Sequence, residues 1–180
     1  MAAFGYHAGY AGAALALLTY TWQLEHGKDE PLPGKSHYQF KDDLDKEVKS
    51  EVSRATQRSG KQPRVFIMGA KGRCGRGAID MCKIAGIPDE NLLKWDIEET
   101  TGRDGPYEEI RESDIFINCI YLNKKIPPFI DIEFLKRPDG NRNLQVVSDV
   151  SCDTTNRKSL YQFRREKGFL ANTKFYLNSK

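Results

Sequence analysis

Apolar positions along this chain change rhythm twice. Between Met1 and Gln23 there is no Lys, Arg, Asp or Glu, and residues 11–18 (AGAALALL) are continuously apolar. The run predicts a buried helix reaching His26. Gly5, Gly9 and Gly12 stand at i, i+4 and i+7, so they share one helix face. A face without side chains lets another backbone approach closely; otherwise its glycines only weaken the helix. His7, Thr19, Thr21 and Gln23 dilute the run below a membrane-spanning segment, and the neutral start lacks the positive region of a secretory signal.

The second rhythm follows a loop, GKDEPLPG at 27–34. Phe40, Leu44, Val48 and Val52 recur every four residues among charges, which predicts an amphipathic helix over 38–56. Its charged face is nearly balanced and suggests no partner. After the loop QRSGKQP (57–63) the pattern shortens. Strands are expected at 64–69, 91–97, 114–121 and 144–150, with helices at 73–85 and 106–112. Gly86 should close the first of these helices, and Pro88 prevents its continuation. Short apolar runs separated by helices imply an α/β fold, with a parallel sheet covered on both faces and two helices ahead of it.

The first strand runs into Gly69-Ala-Lys-Gly72-Arg-Cys-Gly75-Arg-Gly77, a G-x-x-G-x-x-G turn one residue wider at its first gap than the dinucleotide fingerprint. Strand, glycine turn and helix aim unsatisfied N–H groups at an anion. Gly69 would permit the tight turn, Gly72 the approach of a pyrophosphate, and Gly75 close helix packing. Glycine at such a turn is weak evidence alone. Asp96, 21 residues past Gly75, stands at the end of the second strand, where a carboxylate accepts hydrogen bonds from an adenosine ribose and repels a 2′-phosphate. The lesser alternative is an ordinary strand-end residue. Tyr121 ends the third strand, where ligands of open α/β sheets lie. These marks favour a dinucleotide and leave S-adenosylmethionine as the rival.

Charge and cysteines narrow the class. The chain has 180 residues, 39% hydrophobic, enough for one core and a small appendage, and a net charge of +3. Residues 157–180 hold seven Lys/Arg and one Glu, a net of +6, so the rest carries −3. Only the tail is basic, which argues against nucleic acid or membrane as the main partner. Cys74, Cys82, Cys119 and Cys152 include no close pair for structural zinc. They are too sparse for a disulfide framework, so a reducing, cytoplasmic setting is expected. If the third strand neighbours the first, Cys74 and Cys119 face each other; a disulfide would then fit the geometry, while a reducing cell favours two thiols.

Five segments in order, AAFGYHAGYAGAALAL, FIMGAKGRCGRGAID, GIPDENLLKWDIEET, DIFINCIYLNKKIPPF and VVSDVSCDTTN, resemble the fungal NAD-dependent, lysine-forming saccharopine dehydrogenases. The resemblance covers about residues 2–156. It implies Rossmann-like domains flanking a cleft, NAD as cofactor, and oxidation of saccharopine with water to lysine and 2-oxoglutarate. It assigns Gly72 and Arg73 to the cofactor phosphates and Asp96 to the adenosine ribose. Thr100, Tyr121 and the backbone of Ser148 are further cofactor contacts. Asp149, Val150 and Ser151 match the substrate-side stretch, and Phe4 a substrate-side position on an inter-domain helix. Lys71 and Arg76 depart from the family, which usually has apolar and small residues there.

The expected division is an inter-domain helix at 1–26, a loop and amphipathic helix at 27–62, a partial NAD-binding Rossmann-like domain at 63–156, and a non-homologous basic tail at 157–180. Family chains carry another domain ahead of the position of Met1, supplying the catalytic Lys and His. No catalytic residue is therefore assigned here, and turnover is expected only with a separate polypeptide that provides that domain. The alternative is a non-catalytic nucleotide-binding module or remnant.

Overall fold

The computed structural model describes residues 4–35, 37–120, 126–139 and 142–150. Four four-residue strands form one parallel sheet: β1 (Val65–Met68), β2 (Leu92–Trp95), β3 (Ile115–Asn118) and β4 (Val146–Asp149). Their order is β2-β1-β3-β4, with Val65 opposite both Leu92 and Ile115, and Ile115 opposite Val146. β2 and β3 thus flank the first strand on opposite sides. The strand order reverses between β1 and β3, which is where an open α/β sheet forms its crevice.

Alternation along the strands builds two cores. Val65, Ile67, Ile115 and Ile117 face one way, onto α1 (Phe4–His26), α2 (Lys41–Ser59) and α3 (Arg73–Ile84). Phe66, Met68 and Phe116 face the other way, onto Tyr107, Ile110, Phe129 and Phe134. That second layer includes α5 (Glu108–Arg111) and α6 (Ile132–Leu135). A single turn, α4 (Ile97–Thr100), follows β2. This is the expected α/β arrangement, a Rossmann-like parallel sheet preceded by two helices.

The glycines of α1 admit a backbone, and that backbone is α3. A β-carbon at Gly9 would fall on the Cys74 carbonyl, and one at Gly77 would fall on the Tyr6 carbonyl. One at Gly12 would press into the Val150 side chain at 2.5 Å. The helices therefore cross main chain against main chain. Ala13, Ala14, Ala16 and Leu17 of α1 are buried in the core on this side of the sheet.

Several element ends shift, each for a local reason. The second helix runs 41–59 instead of 38–56. Asp42 and Asp43 suit its first turn, where helix amides favour negative charge, and Gly60 (φ 69°) ends it by taking the left-handed conformation. Phe40 stays outside as an extended cap residue, 63% exposed, while Val48 and Val52 are buried. β2 stops at Trp95, short of the expected 97, because Asp96 caps α4. Gly86 (φ 90°) closes α3 as expected, with Ile87 N–H reaching the Cys82 carbonyl and Gly86 N–H the Lys83 carbonyl. Helix 106–112 contracts to Glu108–Arg111, and α6 was not foreseen.

Arg54 and Arg58 of α2 bond Glu25 of α1 at 2.7 and 2.9 Å. Exposed pairs of this kind contribute ~0–1 kcal/mol each, so the buried valines decide how α2 docks. The α1–α3 crossing gives a sharper expectation. Gly77→Val should destabilise the fold by about 2 kcal/mol or more through overpacking. Gly34→Ala, with nothing within 4 Å of a β-carbon there, should be near neutral. Equal urea midpoints for the two variants would refute the crossing.

Candidate functional site

The turn after β1 is pinned to the end of β2. Gly69 turns left-handed (φ 84°), and the Gly69 and Ala70 amides both donate to the Trp95 carbonyl at 2.8 and 3.0 Å. The Lys71 amide donates to Asp96 Oδ2 at 2.9 Å, and the Gly72 amide returns to the Gly69 carbonyl at 3.1 Å. Gly72 caps α3, whose first internal bond runs from Arg76 N–H to the Gly72 carbonyl at 3.0 Å. The amides ahead of that bond have no carbonyl within the helix to accept them.

Glycine is required at two of these positions and leaves room at a third. A β-carbon at Gly75 would fall on the Gly69 carbonyl, so α3 lies directly against the turn. A β-carbon at Gly72 would meet only the Gly69 carbonyl, at 3.3 Å, with open ground otherwise. The first turn of α3 has no acidic residue, and Arg73 and Arg76 are both exposed there. Arg76 Nε donates to the Lys71 carbonyl at 3.2 Å. Cations beside a helix N-terminus oppose the helix dipole, and an anion seated there would relieve them.

Asp96 stands on the same side of the sheet as this turn, as the N-cap of α4. Oδ1 accepts from Ile97 N–H and Oδ2 from Lys71 N–H, both at 2.9 Å. A capping box completes the turn: the side chain also takes the Glu99 amide, and Glu99 Oε2 accepts Asp96 N–H at 2.7 Å. A carboxylate offers about four acceptor positions, so these backbone bonds orient the group without exhausting it. The Thr100 hydroxyl folds back to the Asp96 and Ile97 carbonyls, at 3.2 Å each.

Across the switch point, the ends of β3 and β4 carry a second group. Asn118 is buried: its Nδ2 donates to Asp149 Oδ1 at 3.0 Å, and its Oδ1 accepts Ile120 N–H at 3.2 Å. Those two bonds together fix which way the amide points. Ser148 is buried too, and its hydroxyl donates to the Gly12 carbonyl at 3.2 Å, so its side chain serves α1 and only its backbone faces the sheet's partners. Asp149 and Val150 are half-buried. Phe4, at the start of α1, is 86% exposed, and its neighbour Gly5 lies beside the Arg73 side chain. Tyr121 and Ser151 lie outside the described residues.

Cys74 and Cys119 meet over the crevice as free thiols hydrogen-bonded to each other. The bond from Cys119 holds the Cys74 thiol below the usual thiol range, while sharing its proton and burial push Cys119 up. Cys82 is buried in α3 and pushed up to about 12 by desolvation alone. Among the described residues no three His, Cys, Asp or Glu side chains form a group that could hold a metal ion. Among them, too, no helix is long and apolar enough to cross a membrane. A separate hollow between α1 and α2, lined by Leu24, Glu25, Arg54 and Arg58, has its charges paired internally.

Three features of the site escaped the sequence reading. The Asp96-Ile-Glu-Glu99 capping box was legible in its spacing. Asn118 was signalled by one polar residue in an otherwise apolar strand. Ile97, next to Asp96 and 72% exposed, is an apolar surface where none is needed for folding.

No protein-family model matches the chain. Curated relatives do. It is 54% identical over 155 residues to "saccharopine dehydrogenase [NAD(+), L-lysine-forming]" of Neurospora crassa, covering 86% of this chain and 40% of that protein. The same-named protein of Emericella nidulans is 49% identical over 157 residues (87% and 41%), and that of Candida glabrata 51% over 156 (87% and 41%). The match extends through the turn, the capped carboxylate and the strand ends described above. By sequence the chain is similar, over 86–87% of its own length, to these fungal saccharopine dehydrogenases, and it spans about 40% of the length of those relatives.

Proposed function

We propose that this chain provides the dinucleotide-binding part of an NAD-dependent saccharopine dehydrogenase. The observation that carries the reading is the bond from Lys71 N–H to Asp96 Oδ2, which joins the glycine turn to the capped carboxylate at the sheet's switch point. In this reading the amides at the start of α3, with Arg73, receive the diphosphate, and the open ground over Gly72 gives it room. Gly69 and Gly75 shape the cradle without touching the cofactor by side chain. Asp96 accepts the ribose hydroxyls, Ile97 offers an apolar surface to the adenine, and Thr100 closes the turn that presents both.

Bound NAD supplies the hydride acceptor of the reaction. The remaining half of the cofactor falls toward β3 and β4, where Tyr121, the Ser148 backbone and the segment Asp149, Val150 and Ser151 meet it or the substrate, with Phe4 on the opposite wall. Asn118 keeps the Asp149 carboxylate aimed, and a fixed negative charge there suits a substrate that carries ammonium groups. No general acid or base is assigned among the described residues. Turnover of saccharopine, or of lysine with 2-oxoglutarate, is proposed to need the part of the family's length that lies outside these 180 residues. In the whole protein residues 1–26 act as the inter-domain helix, ahead of 27–62 and the partial NAD-binding domain at 63–156.

NADH should bind the isolated chain, followed by fluorescence, and Asp96→Ala should weaken it by about 1–3 kcal/mol through lost ribose hydrogen bonds. Unchanged affinity would remove Asp96 from the site. Protection against heat unfolding by S-adenosylmethionine and not by NAD would move the reading to a methyl donor.

Alkylation provides a footprint. Cys74 should react with iodoacetamide first among the described cysteines, its rate rising through a midpoint below the ordinary thiol value as pH increases. NADH should slow it, because Cys74 lies in the first turn of α3. Peptide mapping that finds Cys82 modified first, or Cys74 indifferent to NADH, would contradict the geometry. Finally, NADH oxidation by these 180 residues alone with lysine and 2-oxoglutarate would refute the need for the rest of the family's length.

A further inference from the structure

Lys71 sits in the glycine turn, and three of its groups are engaged, two of them by Asp96 and the turn it caps. Its amide donates to Asp96 Oδ2, its carbonyl accepts from Arg76 Nε, and its Nζ lies 2.6 Å from Glu98 Oε1. Both Lys71 and Glu98 side chains are largely in solvent. Glu98, foremost, together with Glu99 and Asp96 behind it, holds the ammonium charged above its usual range.

This arrangement bears on the ribose. On the dinucleotide reading above, on which this inference rests, Asp96 receives the 2′- and 3′-hydroxyls. A 2′-phosphate would place a dianion against that carboxylate, and discrimination would then depend on whether a cation can reach it. Lys71 is joined to Asp96 through its own backbone, so it is a cation within reach. Glu98 occupies it. Three carboxylates (Glu98, Glu99, Asp96) act on that ammonium, and Arg76, the neighbouring cation, is turned to the Lys71 carbonyl.

We propose that Glu98 is a specificity-determining residue, which excludes a 2′-phosphorylated cofactor by engaging the Lys71 ammonium at the ribose corner of the site. Asp96 supplies direct repulsion, and Glu98 withholds the compensating charge. The pairing is exposed, so its effect is modest and depends on salt. Its removal should not disturb folding, because neither side chain is buried.

The test titrates the full chain with NADH and with NADPH at low ionic strength, as wild type, Glu98→Gln and the double variant Glu98→Gln/Lys71→Ala. Glu98→Gln should tighten NADPH binding by about fivefold, the order expected of one exposed charge at contact range, and leave NADH within about twofold. Adding Lys71→Ala should erase that gain, and raising salt should shrink it. If wild type binds NADH and Glu98→Gln gains nothing toward NADPH, the inference falls and the dinucleotide reading stands. A gain that survives Lys71→Ala overturns the route through the ammonium. A wild-type chain that binds neither dinucleotide overturns both.

Discussion

Everything in this fold is referred to one crossing, where α1 lies main chain against main chain on α3 through Gly9 and Gly77. A crossing without side chains has no lateral slack, since neither helix can slide without driving a carbonyl into a neighbour. It fixes α3 from behind while Gly75 fixes it against the turn after β1. A helix held on two sides presents its first amides in one place, which is the condition for an anion site that does not have to be ordered by its ligand. The same helix α1 reaches the far strand as well, through Ser148 Oγ to the Gly12 carbonyl and through Val150. One element therefore sets the distance between the two ends of the crevice.

The turn after β1 is organised differently from the other end of the crevice. At the turn the backbone supplies almost all the order: the Gly69, Ala70 and Lys71 amides and the Asp96 cap tie β1, β2 and α4 together. Side chains are left for charge, with Arg73, Arg76 and Lys71 opposite Asp96, Glu98 and Glu99. At the β3–β4 end a buried side chain, Asn118, does the orienting, holding the Asp149 carboxylate near two neighbouring thiols, Cys74 and Cys119.

Much of this was legible in the residues because several levels agreed. The i, i+4, i+7 glycines predicted a close backbone approach, and α3 meets that face. The four apolar runs predicted a parallel sheet covered on both sides, and each run is a strand. Gly86 closed its helix because only a left-handed residue satisfies both trailing amides. What failed was governed by competition at element ends. Phe40 fitted the apolar period of α2, but the acidic pair behind it set the helix start. Asp96 and Ile97 read as strand because four of the six residues of LLKWDI are apolar, whereas the carboxylate found three amides to accept and ended the strand itself. Periodicity reports which face is buried; it does not report where a side chain will outbid a ladder.

The dual employment of Asp96 explains why the site and the fold cannot be separated here. Its carboxylate is a cap for α4, a staple for the glycine turn and, in the proposed reading, the ribose acceptor. Backbone amides hold it in place before any sugar arrives, so the orientation cost of binding is met in folding. A neutral residue at this position could cap α4 through a hydroxyl, yet it would lose the bond to Lys71 or the sugar, having too few acceptors for both. A carboxylate is the smallest side chain that can accept from both neighbouring segments and still face outward. That requirement, and not strand geometry, is what places an acid where the second strand stops.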